Sequence, residues 1–152
     1  MANKPKSIGT AAETATVRWL RDNGFPWADR QPLRGNRDAG DIAVCPGVIA
    51  EVKAHKTAGK GQPGDAELAV WMAQTEKERI HAGAGIALLV VKRTGTTNPG
   101  KWWCYLHLAT VSSLLGVRPV VAWPDTARVC MSLASAVALL RHAGWGDSPA
   151  TE

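Results

Sequence analysis

The sequence predicts a single α/β domain in which a mixed sheet is flanked by helices. Segments with helical spacing of apolar residues alternate with short apolar runs typical of strands, in the order helix, hairpin, helix, strand, strand, helix. The 152 residues are enough for one hydrophobic core, and the contents of 45% hydrophobic and 20% charged residues are ordinary for a globular protein.

The first predicted helix covers residues 7–23 and follows a polar, basic segment, residues 1–6, which we expect to be disordered. Ser7 is a typical N-cap and Gly24 a typical helix stop. Glu13 lies at the edge of the apolar stripe of this helix. Its carboxylate either points to solvent or faces a functional site, and the helix pattern alone leaves both readings open.

Residues 40–53 are typical of a hairpin whose apolar strands are interrupted by charges. Side chains alternate along a strand, so Glu51 and Lys53 share one face while Val52 points into the core. The hairpin returns Asp41 to the side of Glu51. The sequence therefore predicts two carboxylates and one ammonium group on one face of a small sheet.

This set of groups suits a divalent cation and hydrolytic chemistry. Asp41 and Glu51 supply hard oxygen ligands and the Val52 carbonyl is a candidate third ligand, which favours Mg²⁺ with Mn²⁺ as a substitute. Lys53 would position or deprotonate an attacking water, or offset developing charge. The alternative is structural, because an Asp before a strand is often a turn residue and Glu-x-Lys is often a solvated strand face.

The rest of the chain predicts two longer helices, two clear strands and a less regular tail. Asp65 is the expected cap of the first of these helices and Ser132 of the second. The expected elements are an irregular or short strand at 25–32, a helix at 66–82, a buried strand at 86–91, a strand at 102–108, a short helix at 110–115, small strands or loop at 120–123 and 129–131, a helix at 132–143, and a frayed end at 146–152.

The net charge of +5 favours an anionic partner. Basic side chains flank the predicted hairpin on both sides, and we expect them to contact DNA phosphates unless they are simply solvated loop residues. The basic residues predicted to contact DNA are Arg34, Arg37, Lys56 and Lys60.

The order of a helical Glu, then Gly-Asp-Ile, then Glu-Val-Lys resembles the PD-(D/E)xK nuclease superfamily. Within it, the chain is most similar to Holliday-junction resolvases of the archaeal and actinobacteriophage type. Gly40 stands where the superfamily usually has Pro, and the resemblance fades after residue 108. The matching segments are Gly9 with Glu13, residues 34–42, residues 51–56, residues 71–76 and residues 86–93.

This resemblance implies a restriction-endonuclease-like fold over residues 7–145 and a Mg²⁺-dependent endonuclease that resolves four-way DNA junctions. It implies Asp41, Glu51, Lys53 and Glu13 as the catalytic set, with Glu13 as a candidate further metal ligand. Gln74 is similar in position to a helix glutamine of these nucleases, which makes it a candidate DNA contact. It also implies a homodimer, which the approximate two-fold symmetry of a four-way junction favours as well. From the apolar residues we expect the interface on residues 102–108 or on the stretch around residues 120–140. A restriction-like or repair nuclease, or an inactive DNA-binding module of the same fold, remains an alternative.

Other function classes find no support in the sequence. The three cysteines, Cys45, Cys104 and Cys130, form no C-x-x-C pair, so a zinc site is not expected and the thiols are expected to be reduced. No P-loop pattern indicates a nucleotide cofactor. No apolar run reaches the length of about 18 residues that a membrane span needs. We therefore expect a cytoplasmic protein.

Overall fold

Six strands form one sheet and lie side by side in the order of the chain. The computed structural model describes residues 4–32, 40–54 and 61–147, with side chains from Gly9 onward. The strands are β1 (Asp29–Arg30), β2 (Ile42–Cys45), β3 (Val48–Lys53), β4 (Ile86–Val91), β5 (Trp103–His107) and β6 (Arg128–Ser132). The helices are α1 (Lys4–Asp22), α2 (Asp65–His81), α3 (Leu108–Leu114) and α4 (Leu133–His142), with a 3-10 turn at Pro99–Lys101.

The sheet is mixed, as the sequence predicts. Strands β3 and β4 pair in parallel, and α2 forms the crossover between them. All other neighbouring strands pair antiparallel. The chain is therefore one α/β domain with a six-stranded mixed sheet and four helices, consistent with a restriction-endonuclease-like fold.

The two faces of the sheet bury separate apolar clusters. Leu88 and Val90 on β4 belong to the larger cluster, which α1 and α4 complete. Leu89 and Val91 point the opposite way, to a smaller cluster completed by α2. This alternation along a fully buried strand explains why residues 86–91 form a continuous apolar run. Glu51 and Lys53 pair with Leu89 and Val91, so they lie on the face that α2 covers.

The ends of the domain are more ordered than the sequence predicts. Helix α1 begins at Lys4, so Ser7 is not its cap and residues 4–6 do not belong to a disordered tail. A proline in the first turn of a helix lacks only an N–H that would have no helical partner, so Pro5 fits there. At the other end, the Asp147 N–H donates to the Gly24 carbonyl at 2.9 Å, so the chain is held at that point rather than frayed.

Two details of the later elements also differ from expectation. Strand β6 is longer than the predicted segment at 129–131, whereas residues 120–123, expected as strand or loop, form no strand. The N-cap of α2 is Gly64, and Asp65 is the first helical residue. Ser132 does cap α4, since its hydroxyl accepts a hydrogen bond from the Ser135 N–H at 3.1 Å.

The three cysteines are free thiols, as expected. Among the described helices, none combines the length and the apolar character needed to cross a membrane.

Replacing Leu88 by Ala tests the account of the core. Leu88 is fully buried at the centre of the sheet, so Leu88→Ala should lower the free energy of unfolding by about 2–5 kcal/mol in urea titrations. Val70→Ala is the control, because Val70 on α2 is 66% exposed and its truncation should change stability by less than about 0.5 kcal/mol. Equal effects at both positions would contradict this assignment of the core.

Candidate active site

The hairpin of β2 and β3 places Asp41 beside β3, as predicted. Ile42 pairs with Ala50, so one further step of the same register puts Asp41 opposite Glu51. The Oδ2 atom of Asp41 accepts a hydrogen bond from the Val52 N–H at 2.7 Å. Asp41 lies just before β2, and its side chain takes the place of a backbone acceptor for β3. The backbone of β3 therefore fixes the position of this carboxylate.

The Val52 carbonyl faces the same side as Asp41. In an extended residue the N–H and C=O groups point to the same neighbouring strand. Since the Val52 N–H points to Asp41, the carbonyl oxygen lies on that side, beyond the start of β2 at Ile42. A third oxygen is thereby available next to the two carboxylates.

Glu51 is a buried carboxyl group, with only 4% of its surface exposed. Its Oε1 atom lies 3.4 Å from Nζ of Lys53. Its Oε2 atom is buried and receives no hydrogen bond from an N–H or hydroxyl group in the described part of the chain. A buried oxygen without a donor is unfavourable, so this atom is suited to a proton or a cation.

Glu78 of α2, which is 2% exposed, meets Glu51 in the interior. Burial is the largest cause that raises the pKa of Glu51 above its ordinary range. A hydrogen bond with Glu78 and the negative charges of Asp41 and Glu78 raise it further, and Lys53 acts in the opposite direction. Two carboxylates are both acceptors, so the hydrogen bond between them requires one proton.

Gln74 links Lys53 to Glu78. Its Oε1 atom accepts from Nζ of Lys53 at 3.1 Å, and its Nε2 atom donates to Oε1 of Glu78 at 3.1 Å. Gln74 and Glu78 are one helical turn apart on α2. The predicted contact of Gln74 with DNA remains a prediction, whereas its contact with Lys53 shows that it orients the ammonium group.

Glu13 reaches the site from α1, on the side of Asp41. Burial is the largest cause that raises the pKa of Glu13, and the negative charge of Asp41 raises it further. The guanidinium group of Arg30 lowers this pKa. Arg30 on β1 donates to Oε2 of Glu13, with its Nε at 3.0 Å and its terminal nitrogen at 2.8 Å. Glu13 is thus a carboxylate held near the site and partly neutralised by Arg30.

The structure brings together most of the predicted site residues. Asp41, Glu51, Lys53 and Gln74 form one connected group, and Glu13 lies next to Asp41. The four basic residues predicted to contact DNA lie outside the described residues, so their role remains a prediction. They are Arg34, Arg37, Lys56 and Lys60.

Glu78 and Arg30 were not predicted from the sequence. A signal existed for Glu78, because Leu68, Met72 and Thr75 are buried at helical spacing and the next position of that series is residue 78. A Glu at the end of a buried helical stripe can indicate a carboxyl group that faces another charged group. The two-residue strand of Arg30 offers no comparable pattern.

The oxygen groups of the site fit a hard divalent cation. No cluster of three or more His, Cys, Asp or Glu side chains with the geometry of a metal site occurs among the described residues. The groups that could hold such a cation are the Asp41 and Glu51 carboxylates with the Val52 carbonyl. Mg²⁺ commonly binds through one or two carboxylates and retains several waters, so this small ligand set is sufficient.

No protein-family model, curated protein or solved structure matches the chain. The fold and the geometry of the site are therefore the basis of the functional proposal.

Replacing Glu78 by Met should stabilise the cation-free protein. The substitution removes one of two carboxyl groups in contact and keeps a similar volume, so we expect the free energy of unfolding at neutral pH to rise by about 1–4 kcal/mol. The measurement is urea unfolding in EDTA. Lys77→Met is the control, because Lys77 is exposed on the same helix and its replacement should have little effect.

The same variant should change the pH dependence of stability. The folded protein binds the Glu51 proton more tightly than the unfolded chain, whose pKa is near the ordinary value of 4.5. The free energy of unfolding should therefore fall as the pH rises from that value toward the raised pKa. In Glu78→Met this fall should be smaller. A steeper fall, or a loss of stability at neutral pH, would contradict the conclusion that Glu78 raises the pKa of Glu51.

Proposed function

We propose that the protein is a Mg²⁺-dependent DNA endonuclease of the PD-(D/E)xK type, and that its substrate is a four-way junction. The observation that carries the proposal is the convergence of Asp41, Glu51 and Lys53 at one end of the hairpin of β2 and β3. Asp41 contacts the backbone next to Glu51 at 2.7 Å, and Lys53 lies 3.4 Å from Glu51. Carboxylate oxygens beside an ammonium group are suited to metal-assisted hydrolysis of a phosphodiester.

Each residue has a role that follows from its contacts. Asp41, Glu51 and the Val52 carbonyl would hold the cation. The chemistry that Mg²⁺ supplies when bound is a more acidic water and a polarised phosphoryl oxygen. Lys53, held between Glu51 and Gln74, lies where its charge offsets negative charge that develops on the phosphate. Glu13 supports Asp41 from the outer side of the site.

An anionic substrate is also supported by exposed cations at the same end of the sheet. The Lys92 N–H donates to the Lys53 carbonyl at 2.8 Å, so the segment after β4 begins next to the site. Lys92, Arg93 and Lys101 are exposed and form no salt bridge within the described ranges. Exposed cations beside the site favour phosphate groups. Since DNA is the substrate, we propose that the protein acts in the cytoplasm of a bacterial or phage-infected cell.

We propose a homodimer, because a four-way junction has approximate two-fold symmetry and its resolution needs two matched cuts. The first predicted interface, residues 102–108, offers little free apolar surface, because β5 lies between β4 and β6 and Trp102 and Leu106 are buried. The second predicted region overlaps an exposed apolar segment at residues 115–123. Its exposed residues are Leu115, Val117, Val120, Val121 and Trp123.

Substitutions in the site should abolish DNA cleavage. Asp41→Ala, Glu51→Ala and Lys53→Ala should each reduce cleavage of a labelled four-way junction in Mg²⁺ to less than about one hundredth of the wild-type rate. Asp29→Ala should cut at the wild-type rate, since Asp29 is an exposed carboxylate on β1. EDTA should abolish the activity of the wild type.

Substrate choice separates the proposal from its alternatives. A junction, a linear duplex and a single strand of the same sequence are compared in parallel. Preferred cleavage of the duplex would replace the resolvase by a restriction-like or repair nuclease. Binding without cleavage of any of the three would identify a DNA-binding module, and wild-type rates in all three site variants would refute the site itself.

The dimer is tested by analytical ultracentrifugation of the wild type at micromolar concentration. Val120→Lys should shift the protein toward the monomer, because a charge in an apolar interface is costly to desolvate. Val70→Lys is the matched control, an exposed valine on α2 that the proposed interface does not include. A wild type that sediments as a monomer both alone and with junction DNA would remove the dimer from the proposal.

A further inference from the structure

A row of neighbouring positions crosses the sheet from the candidate active site to β5. Lys53 pairs with Val91 across β3 and β4, and Val91 pairs with Trp103 across β4 and β5. The three residues therefore lie side by side on the face that α2 covers. Neighbouring strands are about 4.8 Å apart, so the backbone of Trp103 lies about 10 Å from that of Lys53.

Trp71 of α2 joins the same row. The Nζ atom of Lys53 lies 6.0 Å from the centroid of the Trp71 ring. Trp71 and Trp103 both pack against the apolar cluster that contains Val91. Both residues are only half-buried, so part of each is open to solvent close to the site.

Arg93 ends the row. Its Cζ atom lies 4.4 Å from the centroid of the Trp103 ring, the distance of a cation–π contact. The side chain is exposed and has no ion-pair partner in the described parts of the chain. The row thus consists of a cation, two aromatic rings and a second cation, and it begins at a residue of the candidate active site.

We propose that Trp71, Trp103 and Arg93 bind an unpaired nucleotide next to the phosphate that is cut. Bases of a continuous duplex are stacked on one another, so their faces cannot contact protein rings. An unpaired base has free faces, and aromatic side chains beside a cationic track are the groups that bind such bases. The inference rests on the proposed function, and it assigns the substrate as DNA with an unstacked base at a branch point or bulge.

The experiment compares two labelled DNAs, a blunt duplex and the same duplex with a central bulge of unpaired thymines. Affinity is measured by fluorescence anisotropy in Ca²⁺, and cleavage of both DNAs in Mg²⁺ is measured in parallel. The wild type should bind the bulged DNA more tightly. Trp71→Leu and Trp103→Leu should each weaken binding of the bulged DNA by about 5- to 150-fold, the loss expected for one stacked base, and weaken binding of the blunt duplex much less.

Leucine retains apolar packing in these variants, and thermal unfolding checks that they are folded. Trp27→Leu is the matched control, because Trp27 is 83% exposed and borders a cavity of about 210 Å³ by the turn between β2 and β3. This variant should bind both DNAs as the wild type does. Arg93→Gln should weaken the binding of both DNAs and reduce the slope of log affinity against log salt by about 0.9.

The outcomes separate this inference from the proposed function. If both tryptophan variants weaken the binding of the two DNAs equally, or change the affinity for neither, the rings only pack in the apolar cluster. The inference is then overturned. The same holds if the wild type binds the two DNAs equally while cutting either of them, and the endonuclease proposal then stands. If the wild type neither binds nor cuts either DNA, the inference is overturned, and cleavage of the four-way junction then decides the endonuclease proposal separately.

Discussion

The contact between two buried carboxyl groups, Glu51 and Glu78, is the constraint on which the site depends. Their side chains meet where solvent is excluded, and Lys53 offsets one of the two charges. Two ionised carboxylates are strongly unfavourable in such a place unless a proton or a cation lies between or beside them. The fold therefore builds a position that needs a positive charge, at the same point where Asp41 and the Val52 carbonyl add further oxygens.

Strand β3 can position these groups because one of its faces is apolar and the other carries charged side chains. Ala50 and Val52 are buried in the larger apolar cluster, which anchors the strand against α1 and α4. Glu51 and Lys53 point to the opposite face, toward α2. Strand β3 is paired on both edges, so a shift in its register would move its apolar side chains out of the core and disrupt the pairing with both neighbours. The positions of the charged groups are thus fixed by the apolar half of the same strand.

Much of this arrangement could be predicted from local sequence patterns. The alternation of Glu51, Val52 and Lys53 gives their faces directly, and the length of the intervening turn brings Asp41 back to them. The contact of Glu78 with Glu51 depends instead on how far along the sheet α2 lies, which no local pattern specifies. The contact of Arg30 with Glu13 and the position of Trp71 near Lys53 and Trp103 likewise depend on how the elements pack, which no local pattern specifies.

The second half of the chain was harder to predict for a different reason. Residues 115–127 contain apolar residues with proline and glycine but no consistent period, so strand and loop were equally compatible with them. In the structure this segment leaves Val120 fully exposed. Apolar character there reflects surface rather than core. A sequence pattern reports burial only where a regular element imposes a period.

If a divalent cation binds Asp41, Glu51 and the Val52 carbonyl as proposed, it should displace the proton that burial and the neighbouring carboxylates favour on Glu51. The decisive measurement is calorimetric titration of Mn²⁺ into the cation-free protein, repeated near neutral pH in buffers that differ in their heat of ionisation. We expect binding accompanied by the release of a proton, with both lost in Glu51→Gln. Absence of binding, or binding without proton release that Glu51→Gln leaves unchanged, would contradict it.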